Sequence, residues 1–183
     1  MTENNLTLKH IEERSSIRAY KKEKLTGEEM EILKKAVLSA PTARNRQALR
    51  YLFVTDPDIL ARVDDRIFHY CDLEMRKSME ERQADSFFYG APLAVFIIGK
   101  DSGWIDLDAG IAIQTLAIAA QSMGLSSVIL GMPRLAFKED DPDNCRQALG
   151  LKEDERFCIA ISIGHAAMTK APHTHNPDLV LEL

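Results

Sequence analysis

The pattern of apolar and polar positions divides the chain into segments of different period, and the most uniform segment lies in the middle. From Trp104 to Gly131 the sequence reads WIDLDAGIAIQTLAIAAQSMGLSSVILG, with no charge between Asp108 and Arg134. Ile111, Ile113, Leu116, Ile118 and Met123 point in almost every helical direction, which predicts a helix buried on all sides. Asp106 or Asp108 suits its N-terminal cap, and Gly124 suits a left-handed stop. Gly110, Gln114, Ala117 and Gln121 fall on one line at spacings of three and four, forming a seam of small and polar side chains. Such a seam fits the core helix of a monomer and equally a helix shared with a second subunit. Gln114, Gln121 and Ser122 interrupt the run, and Gly124 ends it below the length that spans a bilayer. Ser126 to Gly131 then reads as a short buried strand.

The flanking segments carry weaker periods. Leu6, Leu8 and Ile11 predict a short amphipathic helix ending at Arg14-Ser15-Ser16-Ile17-Arg18. Thr26-Gly27-Glu28-Glu29 is a capping box, so a helix begins there, with Met30, Leu33 and Val37 on its apolar face and Pro41 at its end. A polar loop, Pro41 to Gln47, precedes a strand at Tyr51–Thr55. Asp56-Pro57 opens a charged helix expected to continue past Met75. Phe87-Phe88-Tyr89-Gly90 forms an aromatic loop that fits the core and fits equally a lid over a flat ligand. Leu93 to Ile98 is a continuous apolar strand, buried on both faces. Asp140-Asp141-Pro142 starts a short helix closed by Gly150, and Phe157 to Ile163 is the last buried strand. Beyond Ala166 the tail is polar and extended. Four buried strands separated by helical segments predict an α/β or α+β domain with its sheet between helical layers.

Composition narrows the function classes. A chain of 183 residues builds one domain with a substantial core. A net charge of −5 argues against nucleic-acid or anionic-membrane partners. MTENNLTLKHIEER at the start has no apolar signal core, so a cytoplasmic location is expected. Cys71, Cys145 and Cys158 are scattered with no CxxC pair, so inert buried thiols are expected rather than disulfides or a zinc site. His173-Thr174-His175 lacks a third ligand nearby, and no metal is expected there. Neither a Ser or Cys nucleophile motif nor a Gly-rich triphosphate loop is present.

Two stretches carry candidate chemistry. Arg14 and Arg18 flank Ser15 and Ser16, a combination able to surround a phosphate through guanidinium forks and hydroxyls. The same residues fit a solvated basic turn. Asn45 and Gln47 lie two residues apart just before a strand, and carboxamides both donate and accept, as the imide edge of a planar ring requires. Ordinary loop amides would look the same.

In their order along the chain these pieces resemble the nitroreductase family of FMN-dependent flavoproteins. Arg14 to Tyr20 is similar to that family's RRSxRxF segment, and Ala40 to Gln47 to its APSxxNxQPW loop. Gly90-Ala91-Pro92, the apolar strand after it and the uncharged helix ending in Met123-Gly124-Leu125 are similar to its middle section. Leu149-Gly150-Leu151 through Ile163-Gly164 matches its closing LGLPEDE…LG pattern. Ala48-Leu49 stands where the family has Pro-Trp, and His173 and His175 stand in place of its C-terminal basic pair.

The resemblance implies an α+β, nitroreductase-like fold with a mostly antiparallel sheet flanked by helices. It implies one FMN-binding domain over 1–183, in an intertwined homodimer whose 166–183 tail wraps the partner subunit. Two FMN sites would lie across the interface. The flavin would take hydride from NADH or NADPH and pass electrons to nitroaromatic, quinone or related small-molecule acceptors. Arg14, Ser15 and Ser16 would hold the phosphate, joined by His173 and His175. Arg18 would stand at the N1–O2 side, Asn45 and Gln47 at the ring, and the backbone of Leu130 and Gly131 near N5 and O4. No protein acid, base or metal is implied, since the chemistry is flavin-mediated. A flavin-binding module without turnover, used for binding or sensing, is the alternative.

Overall fold

The computed structural model describes residues 5–183. Its centre is one antiparallel sheet of four strands, β1 (Leu49–Val54), β2 (Leu93–Lys100), β3 (Ser126–Leu130) and β4 (Glu155–Gly164), in the order β1-β2-β4-β3. Leu93 to Ile98 of β2 are completely buried, because helices cover the sheet on both faces. Alternate residues of the strand therefore enter two different cores. Leu93, Val95 and Ile97 face α2 (Gly27–Leu38) and α5 (Ile105–Ser122), packing with Leu33, Val37, Leu116 and Ala120. Ala94 and Phe96 face α3 (Pro57–Tyr70), α4 (Leu73–Glu81) and a 3₁₀ turn at Met132–Phe137. Phe88, Phe137 and Phe157 gather around Phe96, and the rings of Phe137 and Phe157 stack at 5.0 Å.

α1 (Leu6–Glu13) is capped by the Asn5 side chain and buries none of its residues. It delivers the chain to the free edge of β3, where Ser16 bridges Ser127 in parallel and the Ile17 N–H donates to the Ser127 carbonyl at 3.1 Å. The chain then crosses to the end of β4, where Lys21 N–H donates to His165 and Ala167 N–H donates to Ala19, both at 2.9 Å. This crossing covers an edge that would otherwise expose unpaired backbone groups.

Several expectations are corrected. The charged helix does not run past Met75 unbroken. Cys71 is extended, and Asp72 starts α4 by accepting from the Met75 N–H at 2.8 Å, a side-chain bond that competes with helix continuation. Asp140 to Gly150 forms turns instead of a helix. There the Asp141 carboxylate serves the Asp143 N–H and Arg66, and Asn144 folds back onto the Asp141 carbonyl. Trp104, not an aspartate, occupies the α5 cap position. Asp106 pairs with Arg156 at 2.8 Å, and Asp108 turns inward. Nor is α5 buried all round: Trp104, Leu107 and Ile111 are exposed at 54%, 59% and 37%, alongside Gly110 and Gln114. The small-residue seam splits, with Ala117 in the core and Gly110 and Gln114 at the surface. Residues 167–183 are all exposed, with one local turn at Pro177–Leu179. Among the described residues no helix is long and apolar enough to cross a membrane.

The crossing of β2 into α5 leaves no space at Gly99, where an added Cβ would stand 2.7 Å from Ile105 Cδ1 and 2.8 Å from the Ala48 carbonyl oxygen. Gly99→Ala is expected to destabilise the fold by about 1–3 kcal/mol through overpacking. Gly27→Ala, in open space at the start of α2, is expected to be nearly neutral. Urea unfolding of the three proteins checks both values.

Candidate functional site

Ile17 and Tyr20 anchor the basic segment by entering the core, and the Tyr20 hydroxyl donates to the Ile17 carbonyl at 2.9 Å. Burial pushes the Tyr20 phenol up, so it stays a protonated donor. Arg14, Ser15, Ser16 and Arg18 remain half-buried around these anchors. Among the described residues, neither Arg14 nor Arg18 has a carboxylate within 4.0 Å. Beside Ser16, the buried Ser127 hydroxyl has no hydrogen-bond partner. Two partly desolvated cations without counterions and an orphaned hydroxyl suit an anionic, oxygen-rich ligand.

The loop before β1 stores backbone strain. Arg44, Asn45 and Gln47 have φ of 54°, 52° and 48°, a region that costs residues such as Arg and Gln roughly 1–2 kcal/mol each and Asn less. The loop is held there by Asp108, buried at the start of α5, which accepts from the Ala43 N–H at 2.9 Å. The Thr42 hydroxyl accepts from the Gln47 N–H at 3.0 Å. Gln47 Nε2 donates to Asn45 Oδ1 at 2.9 Å, so the two exposed carboxamides are locked as a pair. The Gln47 oxygen and the Asn45 nitrogen keep free hydrogen-bonding capacity. Persistent strain of this kind marks a loop whose shape is set by its surroundings, as at ligand clamps.

One chain does not gather all ten candidate residues. Arg14 to Arg18 lie where β3 begins and β4 ends, beyond the C-terminus of α5. Asn45 and Gln47 lie against the N-terminus of α5, so the helix length of about 27 Å separates the two groups. Leu130 is buried halfway along the sheet, paired with Ala160 and level with Phe96 and Leu52, and Gly131 emerges beside it. His173 and His175 stand in the exposed tail with their rings 5.2 Å apart.

The aromatic loop is both core and surface. Phe87 and Phe88 are buried, whereas Tyr89, at φ 57°, presents its ring to Arg18. A cleft of about 310 Å³ opens here between Arg18, Tyr20, Asp85 and Tyr89. It adjoins a larger cleft of about 570 Å³ lined by Phe68, Ser86, Phe88 and Asp64. Asp64 is buried on α3 and accepts from the Phe87 N–H at 2.8 Å. Burial raises its carboxyl to about 6, against the opposing hydrogen bonds from Ser86 and Phe87. Asp64, Asp108, Ser127 and Tyr89 were not among the expected site residues. Asp108 has the sequence signal of a helix cap, and Asp64 that of a solvated face, so neither revealed its long-range backbone partner. Burial pushes the Cys145 thiol up and Cys158 to about 11, leaving both protonated near neutral pH. Among the described residues no three His, Cys, Asp or Glu side chains are grouped to hold a metal.

A sequence model of the nitroreductase family matches residues 11–165. The crystal structure of a nitroreductase with bound FMN from Desulfitobacterium hafniense is 31% identical, covers 98% of each chain and superposes with a TM-score of 0.91. A protein of Archaeoglobus fulgidus, provisionally named an NADH dehydrogenase/NAD(P)H nitroreductase, is 27% identical over 94% of this chain and 95% of its own. The FMN reductase (NADPH) of Bacillus subtilis is 26% identical over 89% of this chain and 67% of its own.

Asp64 makes the stability of this region pH-dependent. The folded state holds the proton to about pH 6, whereas an unperturbed carboxyl releases it near 3.8. Stability from this group is therefore fully present below the lower value, falls as pH rises through the window, and is flat above about 6. Asp64→Asn retains an acceptor for the Phe87 N–H and is expected to remove that slope, on the order of 2 kcal/mol. Urea midpoints of both proteins across pH 4 to 7.5 measure it.

Proposed function

The chain belongs to the nitroreductase family, and we propose that it is an FMN-dependent oxidoreductase. It passes electrons from NADH or NADPH to nitroaromatic, quinone or related small-molecule acceptors. The observation that carries this reading is the counterion-free pair Arg14 and Arg18 beside the unpartnered Ser127 hydroxyl. This donor set fits a flavin phosphate and a ring that gains negative charge. Arg14, Ser15 and Ser16 would hold the phosphate, while Arg18 would favour negative charge on the N1–O2 side of the ring. The paired carboxamides of Asn45 and Gln47 complement an imide edge, and the backbone at Leu130–Gly131 closes the remaining side. Bound FMN would supply the hydride acceptance and electron transfer, and the chain would supply orientation and field.

The site is completed in a homodimer. Two copies of α5, packed antiparallel through Trp104, Leu107 and Ile111, would bring the Asn45 loop of one subunit to the Arg14 segment of the other, twice by symmetry. These exposed apolar residues, with Leu6, Leu8 and Ile11 on α1, form the surface a partner would cover. The 166–183 tail, exposed along its length from Ala167, would wrap the partner and bring His173 and His175 to the phosphate end.

FMN is expected to bind at one per subunit in a dimer, and NADH or NADPH to bleach its colour. A monomer that stays colourless with excess FMN would overturn the proposal. Colour without bleaching would point to the flavin-binding module instead. Arg14→Ala is expected to weaken FMN binding about 10- to 100-fold, the loss of one charge-assisted hydrogen-bonding group. Arg18→Ala is expected to lower the flavin reduction potential and slow reduction more than it weakens binding. Equal affinity losses with unchanged potential would refute that division of roles.

A further inference from the structure

Arg18 is held by an aromatic face instead of a carboxylate. Its guanidinium carbon lies 5.9 Å from the centroid of the Tyr89 ring, within the range of cation–π attraction. Asp85 lines the same cleft, yet it does not approach the Arg18 nitrogens to within 4.0 Å. Tyr89 itself is half-buried, and its hydroxyl has no hydrogen-bond partner among the described residues.

The loop around Tyr89 is unusually well fixed. Phe87 N–H donates to Asp64 at 2.8 Å, Phe88 N–H to Ser86 Oγ at 3.0 Å, and Tyr89 N–H to the Ser86 carbonyl at 2.9 Å. The Phe88 carbonyl accepts from Ser162 Oγ at 3.2 Å and from Ala91 N–H at 3.1 Å. These bonds, with Phe87 and Phe88 in the core, sustain left-handed backbone at Tyr89 and at Gly90, φ 57° and 71°. Gly or Asn would occupy the Tyr89 conformation with less strain. What tyrosine contributes there is its ring.

We propose that Tyr89 is a positioning residue that orients the Arg18 guanidinium without neutralising it. A carboxylate partner would fix Arg18 more firmly but cancel most of its field. An aromatic quadrupole attracts the cation while leaving its charge and its N–H donors available to an anion. This rests on the reading of Arg18 as the cation beside the flavin N1–O2 side.

The test measures the FMN midpoint potential and FMN affinity in the parent, Tyr89→Phe, Tyr89→Leu, Arg18→Ala and the Arg18→Ala/Tyr89→Leu double variant. Melting temperatures of the apoproteins run alongside, and Tyr89→Met replaces the Leu variant if that one unfolds. Tyr89→Phe should match the parent. Tyr89→Leu should lose about threefold in preference for reduced over oxidised flavin, the size of an exposed cation–π contact. For a two-electron couple that is a downward shift of about 15 mV. In the Arg18→Ala background the same change should have no effect on the potential. A parental potential in Tyr89→Leu, an undiminished shift without Arg18, or Phe behaving as Leu would each overturn the proposal. If Arg18→Ala alone leaves the potential unchanged, the assignment of Arg18 to the flavin fails, and the role of Tyr89 with it.

Discussion

The constraint on which the structure depends is the double-sided burial of β2. Leu93 to Ile98 have no solvent contact, so each face of the strand demands its own apolar cover. Each fully buried aliphatic side chain is worth roughly 1.5–3 kcal/mol, which makes this strand the strongest local commitment in the fold. α2 and α5 meet the demand on one side, and α3, α4 and the Met132–Phe137 turn meet it on the other. The connections between these layers must cross the ends of the sheet, and the candidate chemistry sits on the crossings. Arg14–Tyr20 crosses beyond β3, Pro41–Gln47 enters β1, and Ser86–Gly90 enters β2.

Two buried aspartates hold two of these crossings in place. Asp108 secures the Asn45 loop and Asp64 secures the aromatic loop, in each case by accepting a backbone N–H from a segment distant in sequence. A buried carboxylate is costly unless hydrogen-bonded, so each aspartate and its loop depend on each other. Several other half-buried cations have acidic partners: Arg156 has Asp101 and Asp106, Arg66 has Asp141, and Arg50 has Glu155. The lack of an acidic partner at the half-buried Arg14 and Arg18 contrasts with these pairs. In a chain with net charge −5 it concentrates positive field at the segment proposed to meet the FMN phosphate and ring.

The division of the candidate residues between the two ends of α5 bears on assembly. A monomer would leave the arginines and the carboxamides working separately, at opposite ends of a helix about 27 Å long. The exposed apolar stripe on the same helix offers a physical reason for two copies to meet, and antiparallel symmetry would reunite the groups. In this arrangement dimer formation and cofactor binding would support one another, since a ligand that bridges two chains stabilises their contact.

Local chemistry determined what could be read from the sequence alone. The Thr26–Glu29 capping box, the Asp56-Pro57 helix start, the uncharged run of α5 and the four apolar strands are all visible in neighbouring residues. Each is governed by hydrogen bonds or burial within a few positions, and the structure has them where the sequence places them. The basic Arg14–Arg18 segment and the Asn45–Gln47 loop were legible as candidates for the same reason. Tertiary structure alone decided which polar side chains serve distant backbone. Asp108 was equally suited to cap its own helix, and Asp72 was equally suited to lie within one, until packing determined which N–H groups lay within reach. The pairing of Tyr89 with Arg18 is of this second kind. It joins residues 71 positions apart through the strained loop that Asp64 holds, and no local pattern encodes it.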